Sequence, residues 1–222
     1  MAMRRGVDVI PHSPVTGLLR DGRRVVGVQT ANGPISAGIV LSAVGGNVTT
    51  IASMADVRLP IRTHPLQAFV TNAYAQGFGP IISDTELLCY VSQTARGQML
   101  LGAEFDPAPS YSLGSSFNFV QSCSAKAAHL LPFLRNLRIL RQWTGICDIS
   151  ADYSPIMGET DVPGFLVTTG WGTWGFKAIP AGGEALAERI ATGKTPPLIA
   201  PFSLERFSRD HVLADQASAG TR

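Results

Sequence analysis

The sequence predicts a mixed α/β fold of the α+β kind. Three observations carry it: β-prone segments separated by hairpin turns over residues 6–46, further alternating strands over 62–106 followed by helical spacing, and a strand, a glycine-dense turn and a helix over 165–192. In the first stretch Val7–Ile10, Val15–Leu19, Val25–Thr30 and Ile35–Ala43 are strand-like. Asp21-Gly22 and Asn32-Gly33 between them are the dipeptides that close tight hairpins, because such turns need positive φ. The expected result is a β-meander returning to a buried strand.

Residues Gln67–Tyr74, Leu87–Ser92 and Gln98–Glu104 read as further strands, with Gly79-Pro80 and Arg96-Gly97 in the loops. Phe117, Val120, Cys123 or Ser124, Ala127 and Leu131 then recur at helical spacing up to Pro132, and a second short helix is expected through Leu140. Near the end, Asp161-Val162-Pro163-Gly164 turns the chain into the apolar run Phe165–Thr169. A helix is expected over about 180 to 192, with Pro180 in its first turn, Leu186 and Ile190 on one face, and Gly193 followed by Pro196 as the stop.

With 222 residues the chain can bury a sizeable core, in one domain or in two small lobes built from discontinuous segments. A net charge of +2 is too small to argue for nucleic acid or an anionic membrane as partner, and 15% charged residues leave room for surface buried against other chains. Cys89, Cys123 and Cys147 form no C-x-x-C pair, so neither a disulfide framework nor a zinc site is indicated, and no metal is expected. Arg4-Arg5 is followed by no apolar segment and no 18-residue apolar run exists, so a cytoplasmic protein is expected. Arg135, Arg138 and Arg141 recur at helical spacing and read as a solvated face.

Gly170, Gly172 and Gly175 satisfy G-x-G-x-x-G, the spacing that lets backbone approach a pyrophosphate at a helix N-terminus. A dinucleotide fingerprint would also open a βαβ unit with an acidic residue about twenty positions on, and Pro-rich coil follows instead. Residues alone leave a ligand-holding loop and a plain tight turn both open.

Four separated blocks carry more. The word Gly170-Trp171-Gly172-Thr173-Trp174-Gly175-Phe176-Lys177 with Ala200–Phe207 after it, His64-Pro65-Leu66-Gln67-Ala68, and Trp143-Thr144-Gly145-Ile146 leading to Asp152-Tyr153-Ser154-Pro155-Ile156 resemble the β subunits of heterotetrameric sarcosine oxidase. Those are D-amino-acid-oxidase-like flavoproteins, and the resemblance runs from about Arg5 to Phe207. It covers the C-terminal half of such proteins. It implies part of a FAD/NAD(P)-binding Rossmann-type domain with the meander over 1–58, an antiparallel-sheet substrate domain over 59–142, a return to the FAD domain over 143–207, and a tail over 208–222.

The activity implied is FAD-dependent oxidation of the C–N bond of an N-methylated amino acid, sarcosine to glycine and formaldehyde. Lys177 is implied as the cation for the substrate carboxylate. Val15, Ala43, Gly45, Gly170, Gly172, Thr173, Gly175, Phe176 and Lys177 are implied as cofactor-binding residues, aided by N–H groups at the head of the last helix. FMN is expected only with an N-terminal half, since the family histidine that carries it lies upstream of Arg4-Arg5-Gly6-Val7-Asp8. Other subunits of a hetero-oligomeric oxidase are the implied partners. A related opine or methylglutamate dehydrogenase-like subunit and a non-catalytic truncated remnant are the alternatives. Trp174 departs from the pattern, standing where these subunits usually have glycine. His64 reads as a hydrogen-bonded structural histidine and Cys147 as a buried inert thiol.

Overall fold

The computed structural model describes residues 2–209 together with 212 and 213, so most of the expected tail lies outside the described residues. Strands β1 (Val15–Asp21), β2 (Arg24–Thr30) and β3 (Gly33–Ser36) form the meander, antiparallel throughout. Val7–Ile10 is not a strand. It pairs with nothing among the described residues, and Val7, Val9 and Ile10 are exposed. The stretch expected as one strand over Ile35–Ala43 divides, because the chain breaks at Ala37-Gly38-Ile39 and restarts as β4 (Val40–Ser42) in a different sheet. A 3₁₀ turn, Gly45–Asn47, then leads into helix α1 (Val48–Met54).

The next lobe is a five-stranded antiparallel sheet. It holds β5 (Ile61–Ala73), β6 (Ile82–Asp84), β7 (Cys89–Gln93), β8 (Gln98–Ala103) and, after helix α2 (Phe117–Leu130), β9 (Ile139–Ser150), in the order β6-β7-β8-β5-β9. Helix α2 starts where Ser116 caps it, its Oγ accepting from the Phe119 N–H at 3.2 Å, and Gln67 of β5 holds that cap by accepting from the Ser116 N–H at 2.8 Å. Pro132 stops it, as the sequence predicts. The helix expected through Leu140 is instead a 3₁₀ turn, Pro132–Asn136, followed by β9. Ile139 pairs with Thr71 and Arg141 with Val70 of β5, Leu140 falling at a bulge between them, and that pairing overrides local helical spacing. Arg141 consequently lies on a strand, and the three arginines share no helix.

Strand β9 pairs with β5 from Ile139 to Ser150 and so carries the chain past residue 142 without a break. Beyond it, β10 (Ile156–Glu159), β11 (Phe165–Thr169) and β4 make a three-stranded sheet in which β11 runs antiparallel to β10 and parallel to β4. This mixed sheet, followed by helix α3 (Gly175–Thr192), is the Rossmann-type part of the fold.

Two cores result. One joins the meander, α1 and the mixed sheet through Val25, Ala52, Ile156, Phe165 and Val167, while the other packs Phe69, Val91, Met99 and Leu101 under Cys123 and Ala127 of α2. Each fully buried Val, Ile, Leu, Phe or Met side chain among them contributes roughly 1.5–3 kcal/mol.

The C-terminal segment is fastened by a buried ion pair. Arg206 donates from Nε to Asp152 Oδ2 at 2.8 Å and from Nη2 to Oδ1 at 2.9 Å, with both side chains 3% exposed. Asp152 also accepts from the backbone N–H groups of Ser154 and Leu213, so no charge is left bare. Between these partners Tyr153 adopts φ 58°, a strained value for a non-glycine residue that the surrounding network over-determines.

Removing one member of this pair leaves the other charged and buried. Arg206→Leu should lower unfolding free energy by roughly 3–5 kcal/mol, read as a lower urea midpoint, whereas Asp152→Asn combined with Arg206→Met should recover much of the loss. Burial by itself pushes the Asp152 carboxyl up, but the Arg206 hydrogen bonds and charge, with the Leu213 and Ser154 N–H groups, outweigh burial and hold it below the ordinary value. Its stabilisation is therefore present above the ordinary carboxylate pKa of about 3.9 and is lost as pH falls through the depressed folded value. Urea midpoints measured downward from pH 5 should fall more steeply for the wild type than for Asp152→Asn.

Candidate functional site

In the parallel pair β4 and β11, Val40 lies opposite Phe165, Leu41 opposite Leu166 and Ser42 opposite Val167. Both strands therefore end on the same side, and the crevice outside the carboxyl ends of parallel strands is where open α/β sheets take ligands. From β4 emerge Ala43, Val44 and the turn Gly45–Asn47, and from β11 emerge Gly170 to Trp174 and then α3. Two glycine turns far apart in sequence thus leave the same end of one sheet.

The backbone there requires glycine. Gly170 has φ 70° and Gly172 φ 54°, both in the left-handed region. Gly175 is needed for space, since a Cβ there would come within 2.9 Å of Trp171 Cβ. Gly45, at φ 54°, faces open space, whereas a Cβ on Gly46 would come within 2.6 Å of Ile146 on β9. Thr63 of β5 donates to the Gly46 carbonyl at 2.8 Å, so this turn rests directly on the larger sheet.

The second turn is held by Asp148. Its buried carboxylate Oδ2 accepts from Thr169 Oγ1 at 2.7 Å and from the Gly170 N–H at 2.6 Å, and its backbone oxygen accepts from the Gly172 N–H at 3.1 Å. Ile149 bridges Trp171, and the Trp171 indole N–H donates to Thr168 Oγ1 at 3.0 Å. These contacts together fix the path of the turn.

Helix α3 begins at Gly175, not near residue 180, because the turn is complete by Trp174 and the residues after it are free to coil. Pro180 is accordingly its sixth residue rather than in its first turn. The Phe176 carbonyl loses its usual donor, and both Phe176 and Pro180 are exposed, so water can serve it. Gly175, Phe176 and Lys177 form the first helical turn, with no side chain capping it and no acidic residue within it. The dipole and the free N–H groups make this head attractive to an anion. Lys177 is exposed there, its Nζ 4.2 Å from the centre of the Trp174 ring. Thr173 is exposed on the turn, and Phe176 is 89% exposed. Val15 opens β1 opposite Thr30, in the separate meander sheet, and hydrogen-bonds to neither turn.

Beside the second turn lies a small cavity bounded by Phe105, Ile149, Tyr153, Gly172, Thr173 and Trp174. Phe105, Ile149 and Tyr153 are shared with a larger cleft of about 820 Å³, which Arg62, His64 and Glu104 also line. His64 is buried against Phe105, with ring centres 4.8 Å apart. Its Nδ1 lies 2.8 Å from the Asp106 carbonyl, which only accepts, so Nδ1 carries the proton and the structural reading of this histidine holds. Burial, and then the Asp148 charge, push the Cys147 thiol up to about 12, so it stays protonated at neutral pH. No group of metal-ligating side chains occurs among the described residues.

Asp148 escaped the sequence reading, although it was visible as an acid inside the β-prone run Ile146-Cys147-Asp148-Ile149, an anomaly that asks for a partner. Ser42 Oγ, at the end of β4, is buried and has no hydrogen-bond partner among the described residues.

Residues 1–189 match the family described as DAO, FAD dependent oxidoreductase. The chain is 38% identical over 98% of its length to the sarcosine oxidase subunit beta of Arthrobacter sp, covering 54% of that protein, and 37% identical over 97% to that of Rhodobacter capsulatus, covering 52%. It thus spans about half the length of these curated relatives. The L-proline dehydrogenase from P. horikoshii superposes with a TM-score of 0.89 at 28% identity, over 96% of this chain and 58% of that one. No described helix is long and apolar enough to cross a membrane. With the family match spanning most of the chain, this chain belongs to the DAO family of FAD-dependent oxidoreductases.

Proposed function

We propose that this chain is the substrate-facing half of an FAD-dependent oxidoreductase that oxidises the C–N bond of an N-methylated amino acid, with sarcosine as substrate. One observation carries the proposal: an uncapped helix head bearing Lys177 stands beside the paired glycine turns at the carboxyl ends of β4 and β11. The residues present fit FAD. Gly45 leaves open space, Gly170 and Gly172 turn the chain in conformations other residues avoid, and Ser42 Oγ is a buried hydroxyl without a hydrogen-bond partner among the described residues. When bound there, FAD would supply acceptance of a hydride from the carbon next to the substrate nitrogen.

Each of the chain's own groups has a defined task. The first N–H groups of α3 offer preorganised donors to negative charge, which is worth a few kcal/mol of barrier where charge develops. Lys177 takes the substrate carboxylate, the cleft lined by Arg62, His64 and Glu104 admits the substrate, and Asp148 keeps the turn in place. Leu41, Val44, Phe176 and Ile179 flank the two turns in sequence and are exposed apolar side chains. They form the surface on which a complementary half, with any second cation, would rest. Relatives named as subunits support assembly with other chains.

A dehydrogenase that passes electrons to another carrier is the second reading, favoured by the superposition on an L-proline dehydrogenase. Turnover with sarcosine that yields peroxide supports the oxidase, and turnover without peroxide supports the dehydrogenase.

Incubated with FAD and desalted, the purified chain together with its complementary half should retain a visible flavin spectrum, and a colourless assembly would overturn the cofactor assignment. In that assembly Lys177→Ala should raise the apparent KM for sarcosine by about tenfold to a hundredfold, the worth of a hydrogen bond to a charged group. Unchanged kinetics would remove Lys177 from the site.

A further inference from the structure

We propose that Trp174 is the positioning residue for Lys177: its indole face holds the ammonium at the head of α3, ready for the substrate carboxylate. The inference rests on the assignment of Lys177 as carboxylate-binding cation, and goes beyond it to what keeps that cation in place.

Lys177 is the third residue of α3, and the positive end of a helix dipole repels an ammonium. No carboxylate offsets this. The first turn contains no acid, and none of the ion pairs among the described residues includes Lys177. The contact that does hold the ammonium is the Trp174 ring, 4.2 Å from Nζ to centroid.

Trp174 is itself placed by the turn. Its N–H donates to the Trp171 carbonyl at 3.0 Å, and its side chain walls the small cavity with Phe105 and Tyr153. An aromatic anchor has a property that an acidic one lacks. A carboxylate would neutralise Lys177 and compete with the carboxylate of the substrate, whereas a π face restrains the cation and leaves its charge available. An arriving anion then meets two attractions that reinforce each other, the ammonium and the helix head. Specificity follows in part, because the indole occupies room beside the cation that a larger substrate side chain would need.

The chain has three lysines, Lys126, Lys177 and Lys194, so its lysine signals can be resolved individually. Reductive methylation with ¹³C-formaldehyde keeps the charge and labels each ε-nitrogen for NMR. The signal that disappears in Lys177→Arg is Lys177, and ring current from the indole should displace it upfield of Lys194. Trp174→Phe should keep a displaced signal, and Trp174→Leu should return it to the position of an exposed lysine. Trp174→Met gives the same comparison should the leucine variant not fold.

In the assembled flavoprotein, Trp174→Leu should raise the KM for sarcosine about two- to fivefold, the range expected of an exposed cation–π contact, with kcat changed less than KM and the phenylalanine variant closer to wild type. An undisplaced Lys177 signal in the wild type would overturn the proposal. So would a signal that shifts in Trp174→Leu without any change in KM, while Lys177→Ala still raises it. If Lys177→Ala itself leaves KM unchanged, the carboxylate assignment fails first and this inference falls with it.

Discussion

The grip of Asp148 on the turn after β11 is the contact on which the arrangement depends. Strand β9 is a member of the five-stranded sheet along its length, paired with β5 from Ile139 to Ser150 with one bulge at Leu140. Its last turn of sequence reaches into the other lobe, where one carboxylate oxygen takes both the Thr169 hydroxyl and the Gly170 N–H. A buried acid is costly unless its acceptors are filled, and here filling them specifies where β11 must stop and turn. Thr63 and Ile146, on the same two strands, set the first glycine turn in the same manner. The larger sheet is therefore the ruler against which both turns are positioned.

Around the head of α3 the dominant feature is unbalanced positive potential. An uncapped helix terminus, a lysine in the first turn and no neighbouring acid would together destabilise an isolated helix, each by a fraction of a kcal/mol to about one kcal/mol. Tertiary packing supplies the stability that this helix end lacks locally. That packing is visible in Ala185 and Leu186, buried against Met157, and in the Arg189–Glu159 ion pair between α3 and β10.

The Asp152–Arg206 pair works at a distance from the turns but bears on the same cleft. It closes the C-terminal segment over β10 and confines Tyr153 to a left-handed conformation, and Tyr153 lines both cavities. The buried pair is better understood as fixing one backbone path than as a source of net stability, since its desolvation offsets much of the attraction.

Much of this was legible in the residues. The hairpin turns of the meander, the run Phe165–Thr169, the helix from Phe117 ended by Pro132, and the glycine word before Lys177 follow from local rules of φ, periodicity and capping, which the chain cannot evade wherever it folds. Other features were decided only in three dimensions. Whether Ile35–Ala43 is one strand or two depends on which sheet each half can reach, and whether Ile139-Leu140 coils or extends depends on a partner some seventy residues earlier in β5. The start of α3 at Gly175, the parallel pairing that sends the Gly45 and Gly170 turns out of the same end of one sheet, and the carboxylate of Asp148 at the turn are likewise long-range facts. Local propensities differ by less than about 1 kcal/mol per residue, whereas one buried strand pairing or one filled carboxylate outweighs several of them, so the sequence alone determined the pieces and tertiary contact decided their limits and their meeting place.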